Sequence, residues 1–386
     1  MKKPFILTLI IITGFLLISC DNNSELSYEE FDNPNETYCE LSRVEGVYKC
    51  NKTSIAFDTT VDITFYVIKD NNYNIDNVFD DISNIIDNYN KLLDVYNEYD
   101  GINNVYTINN SEGPIEIEEE LFVAIKYALE NQEIVQKDDD LLFNIALQPV
   151  LNIWHEARYN ENCIDTIIYS RCPIPNEETL DQEFNINPNN IILNEETLTI
   201  DFTKDNMGID LGGFAKGYVS MIIENYLNQY EEISYIINLG SSNVMVGGFN
   251  YLNENGEYII GINRPTFSGF SNYYLTAKIT DGFSVVTSGS YQRYIKNLDD
   301  YNDETIYHHI IDPRTNYPGG ETMAVTIITN QTGISDILST ALYLMNYEDA
   351  LAYVNETEDL EAIWYFSEDD IRTSANFSDY FNYYQN

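Results

Sequence analysis

The sequence predicts a mixed α/β fold, folded as one large domain. Apolar and polar residues alternate from Phe57 to Ile68, which is typical of a half-buried strand. Apolar residues then recur three and four apart between Ile75 and Tyr96, which indicates a long amphipathic helix. The chain of 386 residues could form one big domain or two ordinary ones. Because it shows no internal repeat and no second polar linker, we expect one domain.

The composition restricts the classes of partner. The chain has 63 acidic and 19 basic residues and a formal net charge of -44. This charge repels phosphate backbones at long range, so nucleic acid is not expected as a partner. A hydrophobic fraction of 44% and an aromatic fraction of 13% also argue against disorder.

The first twenty residues resemble a bacterial lipoprotein signal. Lys2 and Lys3 precede an apolar run from Phe5 to Ile18, and Ser19 stands directly before Cys20. We expect residues 1–19 to be a signal peptide, residues 20–45 a lipidated tether, and residues 46–386 the folded domain. Acylation of Cys20 would anchor the protein outside the cytoplasm on the cell membrane; the alternative is an uncleaved anchor.

Four further cysteines form two closely spaced pairs. Cys39 and Cys50 are eleven positions apart, and Cys163 and Cys172 are nine apart. In an oxidising compartment the simplest pairing is two short disulfides, Cys39–Cys50 and Cys163–Cys172. A metal site is the weaker alternative because no histidine stands at ligand spacing from either pair.

The later elements follow the same patterns. A second helix is expected within Ile117 to Val135, and the Pro- and Asn-rich segment from Cys163 to Asn190 indicates a surface excursion. The sequence TLTIDFT then predicts a strand, and a helix is expected from Val219 to Tyr230. Further buried strands are predicted for SYIINLG, for VMVGG and around Val325 to Ile328.

The glycine-rich stretch MGIDLGGFAKGY, Met207 to Tyr218, is a candidate anion site. A strand, a glycine turn and a helix direct backbone N–H groups and the positive end of a helix dipole toward an anion. Lys216 adds a positive charge, whereas Asp210 would repel a phosphate unless a metal or a sugar hydroxyl lay between them. The stretch matches neither the P-loop nor the Rossmann pattern, and the alternative is a tight turn capped by Asp210.

The segment GISDILSTALYLMN, Gly333 to Asn346, is a candidate metal site. Asp336 and Thr340 are four apart and therefore share one face of an otherwise apolar helix. A carboxylate and a hydroxyl suit a hard cation such as Mg²⁺. The alternative is an aspartate at a helix start, with the threonine bonded back to the chain.

Two further stretches carry candidate residues. His308 and His309 stand in YHHIIDPRTNYP, where a histidine could move a proton and Asp312 is close enough in sequence to orient it. The alternative is an ordinary surface histidine pair. The strand VVTSGSYQRYI ends in small hydroxyl residues at a glycine, which can line a cleft or simply form a turn.

Read in order, these stretches resemble the motif series of the ApbE family, the FAD:protein FMN transferases. The series is IDLGGFAKGY, INLGSSNVMVGG, VVTSGSYQRY, HIIDPRTNYP and SDILSTALYLM. Upstream, FDTTVDITFY, YNEYDGINNVYTIN and LLFNIALQPVLNIW are similar to the N-terminal blocks of the family. The resemblance covers roughly residues 55 to 350 and is specific because it rests on several spaced motifs.

The resemblance implies a T-fold-like domain that binds FAD and Mg²⁺ and transfers FMN to a Thr or Ser of an exported acceptor protein, with release of AMP. By motif position, Asp336, Thr340 and the carbonyl of Gly213 would bind the metal, and His309, oriented by Asp312, would act as the base. The positions that would contact FAD are Phe57, Tyr99, Leu142, Phe143, Asn144, Asp210, Lys216 and, through its backbone, Val325.

The chain departs from the family pattern at several positions: Ser241 and Asn316 replace glycines, Met221 replaces an acidic residue, and the usual Ser-Glu pair is replaced near Asn103 and Asn104, where an FAD contact would lie. Two other functions remain open. Water in place of the acceptor hydroxyl would make the protein a Mg²⁺-dependent FAD pyrophosphatase that releases FMN and AMP. A non-catalytic FAD-binding lipoprotein is the other alternative, although a pure binder has no need for Asp336, Thr340 and His309.

Overall fold

The computed structural model describes residues 38–69, 72–137, 140–166, 168–267 and 273–383. The predicted signal peptide, Cys20 and most of the predicted tether lie outside these ranges. The described residues belong to one compact unit, Asn35–Asn386. No helix in the described ranges has the length and apolar composition needed to cross a membrane.

The described helices and strands alternate along the chain, in agreement with the predicted mixed α/β fold. The helices are α1 (Ile75–Leu92), α2 (Val105–Asn109), α3 (Glu119–Asn131), α4 (Gln148–Arg158), α5 (Glu177–Leu180), α6 (Ala215–Leu227), α7 (Ser335–Leu344), α8 (Tyr347–Glu356) and α9 (Phe377–Tyr380). The strands are β1 (Tyr38–Leu41), β2 (Val47–Ala56), β3 (Thr59–Ile68), β4 (Ile115–Glu116), β5 (Gln136–Lys137), β6 (Asp140–Leu141), β7 (Ile164–Asp165), β8 (Ser170–Cys172), β9 (Ile191–Asn194), β10 (Thr199–Phe202), β11 (Ile233–Leu239), β12 (Asn243–Gly247), β13 (Tyr258–Asn263), β14 (Tyr273–Ile279), β15 (Ser284–Gly289), β16 (Tyr294–Asn297), β17 (Tyr307–His308), β18 (Ala324–Thr329), β19 (Leu360–Ser367), β20 (Asp370–Thr373) and β21 (Phe381–Tyr383).

A large antiparallel sheet organises the described residues. Nine of the described strands form it in the order β1-β2-β3-β11-β12-β15-β18-β19-β20. The main apolar core, to which α1, α3, α6 and α7 contribute, packs on one face. The smaller described sheet β13-β14-β21 shares a second core with the other face. Covered on both sides, β18 is buried throughout, which explains its nearly continuous apolar sequence AVTIIT.

The predicted elements appear with shifted ends. The alternating strand is β3, in which Val61, Ile63, Phe65 and Val67 are buried, so this prediction is confirmed. The first helix begins at Ile75 as expected but ends at Leu92, and Asn74 caps its start by accepting from the Asn77 amide. The helix expected from Val219 begins earlier, at Ala215, because the last glycine of the loop lies inside its first turn.

The structure joins both cysteine pairs by disulfides. Cys39 and Cys50 face each other in the β1–β2 ladder, so β1 lies within the residues assigned to the tether. Cys163 and Cys172 close a short loop after α4 and attach the end of that helix to β8. The small described sheet β17-β16-β8-β7 continues from this point, with His308 in its edge strand β17 and His309 directly after that strand.

Candidate active site

The glycine-rich loop is held by a side chain from α2. Asn109 donates through Nδ2 to the Ile209 carbonyl and accepts at Oδ1 from the Ile209 amide, both at 2.8 Å. The Asp210 amide also donates to the Ile145 carbonyl at 2.8 Å. These bonds satisfy backbone groups that no described strand pairs with, and they fix the backbone of Ile209 and Asp210 before α6. Asn109 was not among the residues predicted from the sequence.

Asp336 joins the starts of α6 and α7. Its side chain is buried, and Oδ2 accepts from the Gly217 amide at 2.8 Å while Oδ1 accepts from Asn243 Nδ2 at 3.0 Å. Lys216 Nζ lies 3.9 Å from Oδ2. A Cβ at Gly217 would come within 3.0 Å of the Thr332 carbonyl, so only glycine allows the two helices to approach this closely.

Two of the three predicted metal ligands, Gly213 and Thr340, have oxygen atoms without hydrogen-bond partners among the described residues. The Gly217 amide lies in the first turn of α6, where amides have no acceptor within the helix, and it bonds to Asp336 and not to the Gly213 carbonyl. No hydrogen bond between described residues ends on that carbonyl, and none involves Thr340 Oγ1. A carboxylate, a carbonyl and a hydroxyl form the all-oxygen donor set that Mg²⁺ prefers, so these residues fit the ion.

No group of three or more His, Cys, Asp or Glu side chains that could hold a metal occurs in the described ranges. The Asp336 set does not meet that description, because two of its three oxygens come from a backbone carbonyl and a threonine. The spacing of Asp336 and Thr340 indicated them in the sequence. The distant residue Asn243, which orients the carboxylate, was missed.

Phe143 is the member of the Leu142–Asn144 run that meets the loop. A Cβ built on Gly213 would lie 3.2 Å from Phe143 Cε2, so the ring packs against the glycine. Leu142 is buried in the main core. The Asn144 side chain is used structurally, since it accepts from the Ala146 amide at 2.9 Å and donates to the Ile186 carbonyl at 2.8 Å.

Asp210 and an unpredicted tyrosine lie in one environment. The Asp210 carboxylate accepts from the Gly212 amide at 2.7 Å, and burial raises its pKa above the ordinary value despite this bond. Burial and the Asp210 charge both raise the pKa of Tyr96. The Tyr96 ring stacks on His155 with centroids 3.8 Å apart. Tyr96 stands three positions before Tyr99, and no local pattern distinguishes the two.

Tyr99 is occupied with a neighbouring carboxylate. Its hydroxyl donates to Asp94 Oδ2 at 2.8 Å. Burial and this bond raise the pKa of Tyr99 to about 12. The structure therefore gives the Tyr99 hydroxyl a local bond to Asp94.

The two histidines face different surroundings. His308 is buried, accepts from the Ile310 amide at Nδ1, and lies 3.4 Å from the Tyr343 hydroxyl at Nε2. His309 Nδ1 is buried and has no hydrogen-bond partner among the described residues. Burial, reinforced by nearby positive charges that include Arg158 and Lys216, holds the pKa of His309 well below its usual range.

Asp312 does not orient His309, which corrects that part of the prediction. Its carboxylate accepts from Arg314 Nε at 2.8 Å and from Nη2 at 2.6 Å, and the Arg314 amide donates to it as well. Arg314 reaches Asp312 because the chain turns tightly between them. Closeness in sequence to His309 therefore did not produce contact.

The two remaining predicted contacts lie on the sheet. Phe57 is in the β2–β3 turn with a φ of 52°, and its amide donates to Asn90 Oδ1 at 2.6 Å. Val325 is buried in β18 and is paired with Ser288 and Trp364. The substitutes for the family glycines, Ser241 and Asn316, have φ values of 59° and 64°, so both adopt the left-handed conformation that favours glycine.

Comparison with known proteins identifies the family of the chain. The sequence model of the ApbE family matches residues 57–364. The FAD:protein FMN transferase of Klebsiella pneumoniae (strain 342) is 29% identical over 278 residues, which cover 71% of this chain and 78% of the relative. The protein of the same name from Treponema pallidum (strain Nichols) is 30% identical over 188 residues, or 47% of this chain and 50% of the relative.

Solved structures share the fold. The ApbE protein from Thermotoga maritima superposes with a TM-score of 0.70 at 22% identity, covering 86% of this chain and 99% of that chain. The flavin transferase ApbE from Vibrio cholerae gives a TM-score of 0.65 at 18% identity, with the same coverage. With the family match spanning most of the sequence, the chain belongs to the ApbE family.

Proposed function

We propose that the protein is a Mg²⁺-dependent FAD:protein FMN transferase. It attaches the FMN part of FAD through a phosphoester bond to a Thr or Ser hydroxyl of an exported acceptor protein and releases AMP. The observation that carries the proposal is the oxygen set of Asp336, Gly213 and Thr340 at the starts of α6 and α7. The names of the relatives support the same activity.

Mg²⁺ would be held by the Asp336 carboxylate, the Thr340 hydroxyl and the Gly213 carbonyl. When bound, the ion supplies positive charge that neutralises phosphate oxygens and polarises phosphorus toward attack. Lys216 adds a second positive charge beside Asp336. The Gly217 amide and Asn243 hold the Asp336 carboxylate in one orientation, so it would be preorganised to bind the metal ion.

His309 would accept the proton of the attacking hydroxyl. Its lowered pKa keeps the ring neutral at pH 7, and its buried Nδ1 has no competing partner in the described ranges. The acceptor oxygen forms a bond to the FMN phosphorus while the bond from that phosphorus to the bridging oxygen breaks. The bridging oxygen leaves with AMP, and the hydroxyl proton passes to His309.

The flavin dinucleotide would contact the loop and its neighbours. Phe143 offers an aromatic surface beside Gly213, and Tyr96 offers another beside Asp210. We further propose that residues 1–19 are a lipoprotein signal and that acylated Cys20 anchors the protein to the outer side of the cell membrane.

The test incubates the protein with FAD, Mg²⁺ and candidate acceptor proteins and follows flavin fluorescence in a denaturing gel. We expect an acid-stable fluorescent acceptor and one AMP per attached flavin. His309→Ala should slow transfer strongly, whereas the control His308→Gln, on the neighbouring strand position, should not. Free FMN without a labelled acceptor would point to a pyrophosphatase, and intact FAD after long incubation would point to a binding protein.

A further inference from the structure

Helix α4 connects two parts of the proposed active site. Its first residue, Gln148, lies against the glycine-rich loop, because a Cβ built on Gly208 would clash with the Gln148 side chain. Three positions earlier, the Ile145 carbonyl accepts from the Asp210 amide at 2.8 Å. The eleven residues of the helix end at Arg158. At the usual rise per residue they span about 16 Å, so α4 reaches well beyond the loop.

Trp154, in the second half of α4, holds the segment that contains His309. Its Nε1 donates to the Asn316 carbonyl at 2.9 Å. Its ring stacks on Tyr307 with centroids 5.8 Å apart and meets Tyr317 edge-on with centroids 6.1 Å apart. Because Tyr307 stands before His309 and the other two contacts stand after it, α4 holds the histidine segment on both sides.

The Cys163–Cys172 disulfide fastens the end of α4 to the small sheet. Cys163 Sγ lies 3.5 Å from the Ala157 carbonyl in the last turn of the helix. Cys172 is in β8 and forms a small apolar core with Ala157 and with Ile295 of β16. The disulfide therefore packs directly between α4 and the two central strands of this sheet.

Strand β16 transmits the position of this core to His309. Tyr294 of β16 pairs with His308 of β17 in an antiparallel ladder. The His309 amide donates to the carbonyl of Arg293, directly before β16, at 3.1 Å. Strand β17 is two residues long and lies at the edge of the sheet, so its position depends on that of β16.

We propose that the Cys163–Cys172 disulfide positions His309 for flavin transfer, through α4 and β16, and that transfer is therefore controlled by the oxidation state of this disulfide. The inference rests on the proposed function. The intact disulfide holds α4, β8 and β16 together, and its reduction allows the β16–β17 edge to shift relative to the glycine-rich loop. Displacing a catalytic group by about 1 Å can lower kcat about a hundredfold.

The reductant would be a dithiol, either a small molecule or the reduced form of a thiol–disulfide oxidoreductase. One thiolate attacks Cys163 Sγ, the S–S bond breaks, and Cys172 leaves as a thiolate that takes up a proton. The second thiol of the reductant attacks the mixed disulfide, releases Cys163 as a thiol and becomes part of the reductant's own disulfide. Two electrons thus pass to the protein. Cys163 is the accessible sulfur because it is half-buried, whereas Cys172 is fully buried.

The test measures flavin transfer by the full chain before and after reduction with dithiothreitol, which is removed before FAD, Mg²⁺ and the acceptor protein are added. Cys39→Ala with Cys50→Ala removes the other disulfide, which joins the exposed edge strand β1 to β2. The oxidised form of this variant should transfer as the parent does. Reduction should lower its kcat about a hundredfold and leave its Kd for FAD in EDTA unchanged. Reoxidation with oxidised glutathione should restore kcat.

Two further measurements separate a local shift from unfolding. Cys163→Ala with Cys172→Ala should transfer slowly whether or not it was treated with dithiothreitol. In the reduced Cys39→Ala, Cys50→Ala variant, amide hydrogen exchange should rise in residues 294–310 and stay unchanged in α7. Its far-ultraviolet circular dichroism should match that of the oxidised form.

Three outcomes would overturn the inference. An unchanged kcat after reduction would show that His309 keeps its position without the disulfide. A Kd for FAD that rises in step with the loss of kcat would place the effect on the glycine-rich loop, and exchange that rises equally in α7 would indicate a general loss of stability. An oxidised parent that transfers no flavin would instead contradict the proposed function, so the two failures are distinguishable.

Discussion

Replacing Asp336 by Asn separates the structural role of this residue from its proposed role as a ligand. In the parent, Oδ2 accepts from the Gly217 amide and Oδ1 from Asn243 Nδ2. Asparagine has one acceptor and one donor group, so its NH₂ must face another donor on one of the two sides. One buried N–H group is left without an acceptor in either orientation.

The expected cost follows from this mismatch. An unsatisfied buried donor costs about 1–3 kcal/mol, and we expect the free energy of unfolding of Asp336→Asn in EDTA to fall by about 2 kcal/mol. Urea denaturation measures this difference. Asp100→Asn is the control, because Asp100 is exposed and makes no side-chain hydrogen bond to the described residues. An unchanged urea midpoint for Asp336→Asn would refute the hydrogen-bond argument.

A second substitution tests the ligand role. In Asp336→Asn with Asn243→Asp, the new amide can donate to the new carboxylate, so most of the lost stability should return. The carboxylate then stands on β12 instead of α7, and Mg²⁺ should neither stabilise the double variant nor support flavin transfer as in the parent. Full recovery of Mg²⁺-dependent transfer would contradict the assignment of Asp336 as the metal ligand.

Three further predictions concern the packing around the site. Gly217→Ala should lower the free energy of unfolding, measured in urea, by about 1–2 kcal/mol. The new methyl group would press on the Thr332 carbonyl, and the cost of this clash should exceed the gain of roughly 1 kcal/mol in helix propensity. A stabilised variant would contradict this. Burial lowers the pKa of His308 from 6.5 to about 4. The unfolded state therefore binds the proton first, stability falls by about 3 kcal/mol as the pH drops through this window, and His308→Gln should lose that part of the acid dependence. Asn109→Ala should weaken FAD binding and cost about 1–3 kcal/mol in urea, because both backbone groups of Ile209 lose their partner; unchanged FAD affinity would show that the loop holds its conformation without Asn109.

Periodicity was sufficient for the elements that pack on the core. The apolar alternation of β3 and the apolar face of α1 are local signals, and both elements appear where the sequence predicts them. The start of α6 was misplaced because its first turn contains a glycine, which has low helix propensity. Gly217 is needed there because the Thr332 backbone packs against it. A contact between residues so far apart in the chain leaves no local sequence pattern.

The same distinction applies to the site. Asp336 and Thr340 share a helix face and could be found by spacing alone. Asn243, Asn109 and Tyr96 reach the site only through tertiary packing, and the bond from Asn243 spans 93 positions. The prediction for Asp312 relied on closeness in sequence to His309. It failed because Arg314, two positions further along the chain, donates to the Asp312 carboxylate instead.

The bond between Gly217 and Asp336 also constrains the order of folding. α6 has no side-chain cap at Phe214, and its early amide is satisfied by a residue 119 positions further along the chain. Strands β11 to β18, which supply the centre of the large sheet, lie in the intervening sequence. The first turn of α6 is thus completed by a long-range contact, and the entropy of closing the intervening loop opposes that contact until the intervening strands shorten the loop. A chain still emerging from the ribosome before residue 336 therefore has the glycine loop but lacks Asp336 and Thr340, two of the three proposed metal ligands.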